Sequence, residues 1–183
     1  MKLNNALGPT PVIGITGFSG SGKTTLIEQL IPRIQQHGIR VAVIKHAHHR
    51  FDVDTPGKDS YRFREAGAQQ VLVASGQRWA LINEHRPALN DPDLSTLITH
   101  LDHANLDLVL VEGFKHIAFP KMELNRAACQ HPLRYAEDDS IIALICDHDE
   151  HDTVLPVLAL DDVAGITAFI VQYQHQCLHE VGR

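Results

Sequence analysis

Short runs of consecutive apolar residues alternate along this chain with longer segments in which apolar residues recur every three or four positions. The runs lie at residues 11–16, 41–44, 108–111, 141–145 and 157–160. Continuous apolar strands are usually buried on both faces, as in a parallel sheet. The longer segments have the period of amphipathic helices. The alternation predicts an α/β fold, with a mostly parallel sheet that carries helices on both faces.

The helices are predicted with different clarity. An apolar stripe predicts a helix after the first strand, ending before Gly38, and Pro32 predicts a bend inside it. The stripe comprises Leu26, Ile27, Leu30, Ile31 and Ile34. The last helix begins near Asp161 and has the stripe Ile166, Phe169, Ile170, Tyr173 and Cys177. Between them, Thr55 and Pro56 predict the N-cap and first turn of a helix that runs to Ala66, and residues 93–101 predict another.

Two segments predict an antiparallel portion at one edge of the sheet. Residues 71–73 and 79–82 flank Ser75-Gly76-Gln77, which is typical of a hairpin. Met122 and Leu124 alternate with polar residues, which indicates a half-exposed or edge strand. No long linker or repeat interrupts the 183 residues, so we predict a single domain over residues 1–183.

The first strand ends in Gly17-Phe18-Ser19-Gly20-Ser21-Gly22-Lys23-Thr24-Thr25, which matches G-x-x-x-x-G-K-[ST] at every fixed position. Such a loop turns its backbone N–H groups towards a phosphate, and the helix that follows adds the positive end of its dipole. Lys23 would reach the β- and γ-phosphates, and Thr24 would bind Mg²⁺. A chance match in a Gly/Ser-rich turn is the competing interpretation. We predict a phosphate site formed by Gly17, Ser19, Gly20, Ser21, Gly22, Lys23, Thr24 and Thr25.

Acidic residues that could complete this site follow other strands. Glu112 ends the apolar run at 108–111 and could hold Mg²⁺ through a water or position the attacking water. Asp54 or Asp59, in the polar segment after the second strand, could contact Mg²⁺ or orient water. We take Lys23, Glu112 and Asp54 as the catalytic candidates, and Thr24 and Glu112 as the magnesium ligands.

Asp147 follows the run at 141–145. A carboxylate accepts two hydrogen bonds from the N1–H and N2–H₂ edge of guanine, a pair that adenine lacks. Asp147 is therefore a candidate for guanine recognition, which predicts GTP rather than ATP, although the usual Asn-Lys-x-Asp form is absent.

Composition and charge narrow the function. The formal net charge of −6 argues against a protein that grips nucleic acid or an anionic membrane through bulk positive charge. No apolar run is long enough for a membrane span, and the first residues lack the apolar core of a signal peptide. Three widely spaced cysteines favour a reducing cytoplasm.

The 13 histidines first suggest metal binding. By position, four fall at the carboxyl edge of the predicted sheet, where a nucleotide or partner contact competes with a transition metal and with a merely solvated loop: His46, His48, His49 and His116. The other nine, which include His103 and His131, are expected in solvated positions.

Several motifs occur in one order: Gly17 to Thr25, Lys45-His46-x-His48-His49, Asp52-Val53-Asp54-x-Pro56-Gly57-Lys58-Asp59-Ser60-Tyr61, Ala66-Gly67-Ala68, Val111-Glu112-Gly113-Phe114-Lys115-His116 and Pro120-Lys121-x-Glu123. Together they resemble the MobB family, molybdopterin-guanine dinucleotide biosynthesis protein B. The resemblance runs from about Val12 to Asp147 and is weaker in the last helix. The run from Asp52 to Tyr61 is its most diagnostic part.

The resemblance implies a P-loop GTP-binding homodimer with weak GTP hydrolysis and GTP and Mg²⁺ as cofactors. It also implies an adaptor for the MobA-type guanylyltransferase that attaches GMP to molybdopterin. Some related proteins carry a lysine after the first loop glycine, and Phe18 stands there in this chain. Two alternatives stay open on the same loop, namely a small-molecule kinase and a metal-delivery NTPase.

Overall fold

The computed structural model describes residues 7–47, 51–89, 91–129, 131–148 and 152–181, and the chain forms two compact units. The first unit comprises Met1–His46 and Leu94–Arg183, and the second comprises Ala47–Asp93. The single-domain organisation of residues 1–183 stays a prediction.

The strands are β1 (Val12–Thr16), β2 (Val41–Lys45), β3 (Gln70–Ala74), β4 (Trp79–Asn83), β5 (Leu108–Glu112), β6 (Lys121–Asn125), β7 (Ile141–Cys146) and β8 (Val157–Ala159). The helices are α1 (Lys23–Gln36), α2 (Asp59–Glu65), α3 (Leu94–Thr99) and α4 (Val163–Val181). Short 3₁₀ turns lie at His103–Asn105 and Ala127–Cys129. Within the part of the chain that the structure describes, no helix has the length and apolar character needed to cross a membrane.

A six-stranded sheet, in the order β2-β5-β1-β6-β7-β8, forms the centre of the first unit. All of its neighbouring strands are parallel. One face packs on the buried stripes of α1 and α4, and the other packs on α3 through residues such as Leu94 and Ile98. The predicted stripes are correct in substance, because Leu30, Ile34 and Ile170 are fully buried. The predicted fold class is therefore confirmed.

Strand β6 is the main correction to the predicted fold. We expected residues 122–125 at an exposed or edge position in an antiparallel portion, but β6 lies between β1 and β7, is parallel to both, and is buried throughout. Its polar side chains bind the segment 131–139 instead of water: Lys121 with Asp138, Glu123 with the N–H groups of Arg134 and Tyr135, and Asn125 with the carbonyl of His131.

The second unit contains α2 and the hairpin of β3 and β4, which pair with each other in a separate two-stranded antiparallel sheet. The hairpin is confirmed, but its expected place at an edge of the main sheet is wrong, because β3 and β4 pair only with each other. The predicted N-cap of α2 at Thr55 is also wrong, because Lys58 is the N-cap and the helix begins at Asp59. Lys58 donates its N–H to the carbonyl of Thr55 at 3.1 Å, and Gly57 has a φ of +85°. Pro56 and Gly57 thus occupy the central positions of a type II turn.

Candidate nucleotide-binding site

The phosphate loop connects β1 to α1 at the carboxyl edge of the parallel sheet. Gly17, Gly20 and Gly22 have φ values of +143°, +79° and +100°, a region that residues with a Cβ rarely adopt. A Cβ on Gly17 would lie 2.4 Å from the carbonyl oxygen of Leu124, whereas one on Gly20 would meet no atom within 4 Å. The loop therefore needs glycine for its backbone path and leaves open space at its tip.

Lys23 begins α1 and turns its side chain back over the loop. Its Nζ donates to the carbonyl oxygens of Gly17 at 3.0 Å and Phe18 at 2.7 Å. Burial lowers the pKa of Lys23, the ammonium groups of Lys45 and Lys115 lower it further, and Glu112 opposes the shift. Three ammonium groups thus share one edge of a protein whose formal net charge is −6.

The carboxylate of Glu112, at the end of β5, meets the hydroxyl of Thr24. The hydroxyl oxygen of Thr24 lies 3.1 Å from Oε1 and 3.2 Å from Oε2 of Glu112. The Nζ of Lys45, the last residue of β2, lies 3.4 Å from Oε2 of Glu112 and 3.4 Å from the hydroxyl oxygen of Thr24. Sequence reasoning did not select Lys45, although its position at the end of a central strand was the signal available.

The donor set fits a magnesium–nucleotide complex. Mg²⁺ prefers hydroxyl and carboxylate oxygens as ligands, and Thr24 and Glu112 supply one of each. The ammonium of Lys45 contacts both groups, which shows that a cation is accommodated beside them. The hydroxyl of Ser21 is buried and has no hydrogen-bond partner among the described residues. Ser19 and Thr25 are exposed at the same loop.

An open cavity of about 630 Å³ lies in the first unit where β7 and β8 end, and Asp147 lines it. Oδ1 of Asp147 accepts the N–H of Ala127 at 2.8 Å and lies 3.0 Å from Nδ1 of His148. The hydrogen bond from Ala127, with that from His148, lowers the pKa of Asp147. Because its pKa is lowered, the carboxylate is ionised at neutral pH. No other described residue donates to its Oδ2, so that oxygen remains an acceptor.

Arg126 and His131 belong to the surroundings of the loop, and sequence reasoning missed both. Arg126, directly after β6, donates from Nε to the carbonyl oxygen of Ser21 at 2.7 Å. The ring of His131 stacks on Phe18 with centroids 3.8 Å apart. His131 is exposed, as expected, but its ring contacts the phosphate loop, which the sequence did not indicate. For Arg126 the available signal was again its position at the end of a strand, which was overlooked because β6 was expected at the edge of the sheet.

Asp54, the third catalytic candidate, lies in the second unit and pairs with Arg64. The guanidinium of Arg64 reaches Oδ1 of Asp54 at 2.6 Å and Oδ2 at 3.1 Å, and it also binds Asp52 and Glu84. These hydrogen bonds lower the pKa of Asp54 and raise the pKa of Arg64. Both oxygens of Asp54 hold the loop to α2, and a catalytic role for Asp54 stays a prediction.

The histidines divide differently from the sequence expectation. His46 stacks on Phe114 with centroids 4.6 Å apart, and His116 is exposed. His48 and His49 lie outside the described residues. His103, expected to be solvated, bonds Thr10 and the carbonyl of Ile98 through its two ring nitrogens. Among the residues that the structure describes, no three His, Cys, Asp or Glu side chains are grouped so as to hold a metal ion.

The glycine-rich loop, the lysine and threonine at the start of α1, and the acid at the end of β5 define a P-loop NTPase-like α/β protein. The family model described as "Molybdopterin guanine dinucleotide synthesis protein B", MobB, matches residues 12–147. The chain belongs to this MobB family.

Relatives agree over nearly the whole length. The chain is 44% identical over 167 residues to the molybdopterin-guanine dinucleotide biosynthesis adapter protein of Escherichia coli K12, covering 91% of this chain and 94% of the relative. It is 40% identical over 173 residues to the protein of the same name from Haemophilus influenzae, covering 94% and 93%. The crystal structure of Bacillus subtilis MobB superposes with a TM-score of 0.69 at 27% identity, covering 89% of this chain and 97% of that chain.

Proposed function

We propose that this protein is a GTP-binding adapter in molybdopterin-guanine dinucleotide biosynthesis, where it assists the MobA-type guanylyltransferase. The observation that carries the proposal is the contact of Thr24 with Glu112 beside a complete phosphate loop, in a chain of the MobB family. The names of the E. coli and H. influenzae relatives supply the adapter role.

In this proposal the chain binds the triphosphate with its loop amides and with Lys23. The ammonium of Lys23, now bonded to two loop carbonyls, turns to the β- and γ-phosphates. Thr24 and Glu112 supply oxygen ligands for Mg²⁺, which when bound neutralises charge on these phosphates. Lys45 and Lys115 add positive charge at the same edge.

Hydrolysis by the isolated protein would be weak. Thr24 and Lys45 already contact the carboxylate of Glu112, so this group is suited to ordering the metal side of the site rather than to taking a proton from water. Fast turnover by in-line attack of water on the γ-phosphate would need a group from a partner. GTP binding, rather than rapid hydrolysis, is then the functional state.

Asp147 supports a preference for guanine. Its ionised carboxylate lines the cavity that follows β7 and β8, and its Oδ2 remains free to accept from the N1–H and N2–H₂ edge. Adenine presents no such pair of donors. We therefore assign GTP rather than ATP as the nucleotide.

The second unit supports a homodimer. Its two-stranded sheet exposes large apolar side chains, and hairpins of this size are marginal without a further layer. The exposed residues on the hairpin are Leu72, Val73, Trp79 and Leu81. The register places Leu72, Trp79 and Leu81 on one face of the hairpin, which a second copy of the chain would cover, and Val73 on the other face. Sedimentation of Trp79→Ser is the test: we expect a monomer, and an unchanged dimer would remove the hairpin from the interface.

Isothermal titration with GTP and ATP tests the nucleotide assignment. We expect Lys23→Ala to abolish binding while circular dichroism stays unchanged, because the ammonium is the main charge facing the phosphates. Arg33→Ala, an exposed residue of α1 with the same change in charge, is the control and should bind as wild type. Wild-type affinity in Lys23→Ala would refute the phosphate site, and equal affinities of the wild type for GTP and ATP would refute guanine recognition.

A second experiment tests the role of Glu112 as a magnesium ligand. We expect Glu112→Gln to retain GTP binding but to need more Mg²⁺ for it and to hydrolyse GTP more slowly, because the charged ligand is lost. Undiminished turnover at the same Mg²⁺ concentration would direct the search to Asp54 or Asp59.

Capture of the guanylyltransferase by GTP-loaded and nucleotide-free protein tests the adapter role. We expect retention to depend on GTP and to be lost in Lys23→Ala.

The three cysteines are free thiols, two of them buried, which supports a cytoplasmic site of action.

A further inference from the structure

Arg126 stands between the two halves of the proposed nucleotide site. Its Nε donates to the carbonyl oxygen of Ser21 at 2.7 Å, and its Nη2 would lie 3.1 Å from a Cβ on Gly22. The same side chain lines the 630 Å³ cavity together with Asp147. One residue thus touches the phosphate loop and borders the cavity assigned to the base.

The guanidinium is fixed but mostly unused. The contact with Ser21 employs one of its five N–H donors, and no described residue accepts from either Nη. Arg126 is half-buried, so this charge is partly removed from water. A planar cation held in this way suits a ligand with a π-face, because guanidinium groups stack on flat rings.

Its position along the nucleotide follows from the two contacts. The phosphates belong at the loop amides and at Lys23, on the side of α1. If Asp147 reads the edge of the base, the flat face of the base lies in the cavity that Arg126 borders. The wall made by Leu160 and Val163 is apolar and suits the same flat ring.

We propose that Arg126 is a nucleoside-binding residue whose guanidinium lies against the purine ring, while its tether to Ser21 fixes the distance between base and phosphate subsites. The proposal rests on the proposed GTP-binding function. It separates two tasks in one cavity: Asp147 sets which purine binds, and Arg126 sets how tightly any purine binds. The alternative is a clamp that only shapes the phosphate loop.

Titrations of Arg126→Ala with GTP, ATP and inorganic tripolyphosphate, each with Mg²⁺, distinguish these roles. Tripolyphosphate is measured by displacement of GTP, so that weak binding is also quantified. We expect Arg126→Ala to weaken GTP and ATP by the same factor, about tenfold, the loss expected for a partly desolvated cation–π contact. We expect tripolyphosphate to bind within about twofold of wild type and the ratio of GTP to ATP affinity to stay constant.

Two further variants complete the test. Arg126→Lys keeps the charge without the planar face, so we expect both nucleotides to stay weaker than in wild type. Asp147→Asn should change the ratio of GTP to ATP affinity, and Arg33→Ala should change nothing. Equal losses for GTP and tripolyphosphate in Arg126→Ala would establish the clamp, and undiminished GTP binding would exclude any contact. Wild-type protein that binds no nucleotide would instead refute the proposed function itself.

Discussion

The buried ion pair of Lys121 with Asp138 offers a quantitative test of how β6 is held at the centre of the sheet. The side chain of Lys121 is 1% exposed, and its Nζ lies 2.8 Å from Oδ2 of Asp138 and 2.7 Å from the carbonyl oxygen of Ile117. We choose Lys121→Met, which keeps the length of the stem and removes the ammonium. The carboxylate and the carbonyl then lose their shared donor.

The structure sets the expected size of the loss. Removing one partner of a buried pair costs about 3–5 kcal/mol. Asp138 is 26% exposed and keeps hydrogen bonds from the N–H and the hydroxyl of Ser140. We therefore expect the lower end, about 3 kcal/mol, which in a chain of this size lowers Tm by roughly 6–12 °C.

Urea unfolding followed by far-UV circular dichroism is the assay, because the long helices α1 and α4 belong to the first unit. Trp79, the one tryptophan of the chain, belongs to the second unit and would report on the wrong part. Lys115→Met, at an exposed lysine, is the matched control and should change the free energy of unfolding by less than about 0.5 kcal/mol.

A double-mutant cycle with Asp138→Asn isolates the pair. Asparagine keeps the turn to Ser140 but carries no charge. The loss of unfolding free energy in the double variant should therefore be about 1.5–2 kcal/mol smaller than the sum of the two single losses. Additive losses, or a loss below about 1 kcal/mol in Lys121→Met, would show that the ammonium does not hold segment 131–139 to the strand.

Three further predictions concern other parts of the protein. Arg64→Met leaves a cluster of carboxylates without their cation, so limited proteolysis should cut faster inside the second unit while the first unit keeps its rate; equal rates would contradict this. Tyr173→Phe removes the buried hydrogen bond to the carbonyl of Val12 (2.8 Å), and urea unfolding should show a loss of about 1–3 kcal/mol; no loss would mean that the carbonyl finds another donor. Hydrogen bonds from Arg40 lower the pKa of Asp107 to about 2. The stability that the ionised carboxylate contributes is therefore complete above about pH 4 and is lost as the pH falls towards 2. In acid unfolding, Asp107→Asn should reduce the dependence of the free energy of unfolding on pH in this range, and an unchanged dependence would refute the reasoning.

Local patterns were sufficient for most of the elements and for the first part of the site. The phosphate loop is a contiguous motif whose backbone path depends on its own glycines, and three of them have the required positive φ. Glu112 and Asp147 could be selected because each ends an apolar run, and parallel strands bring their carboxyl ends to one edge.

The tertiary structure decided what depends on neighbours that are distant in sequence. The alternating pattern of β6 is the same whether its polar face meets water or a bonded segment, so only packing could place it between β1 and β7. Because β6 lies beside β1, the residues that come after β6 in the chain reach the phosphate loop. Arg126 and His131 contact the loop for this reason. The pairing of Asp54 with Arg64 likewise needed the turn at Pro56 and Gly57, after which α2 starts three residues later than the sequence suggested.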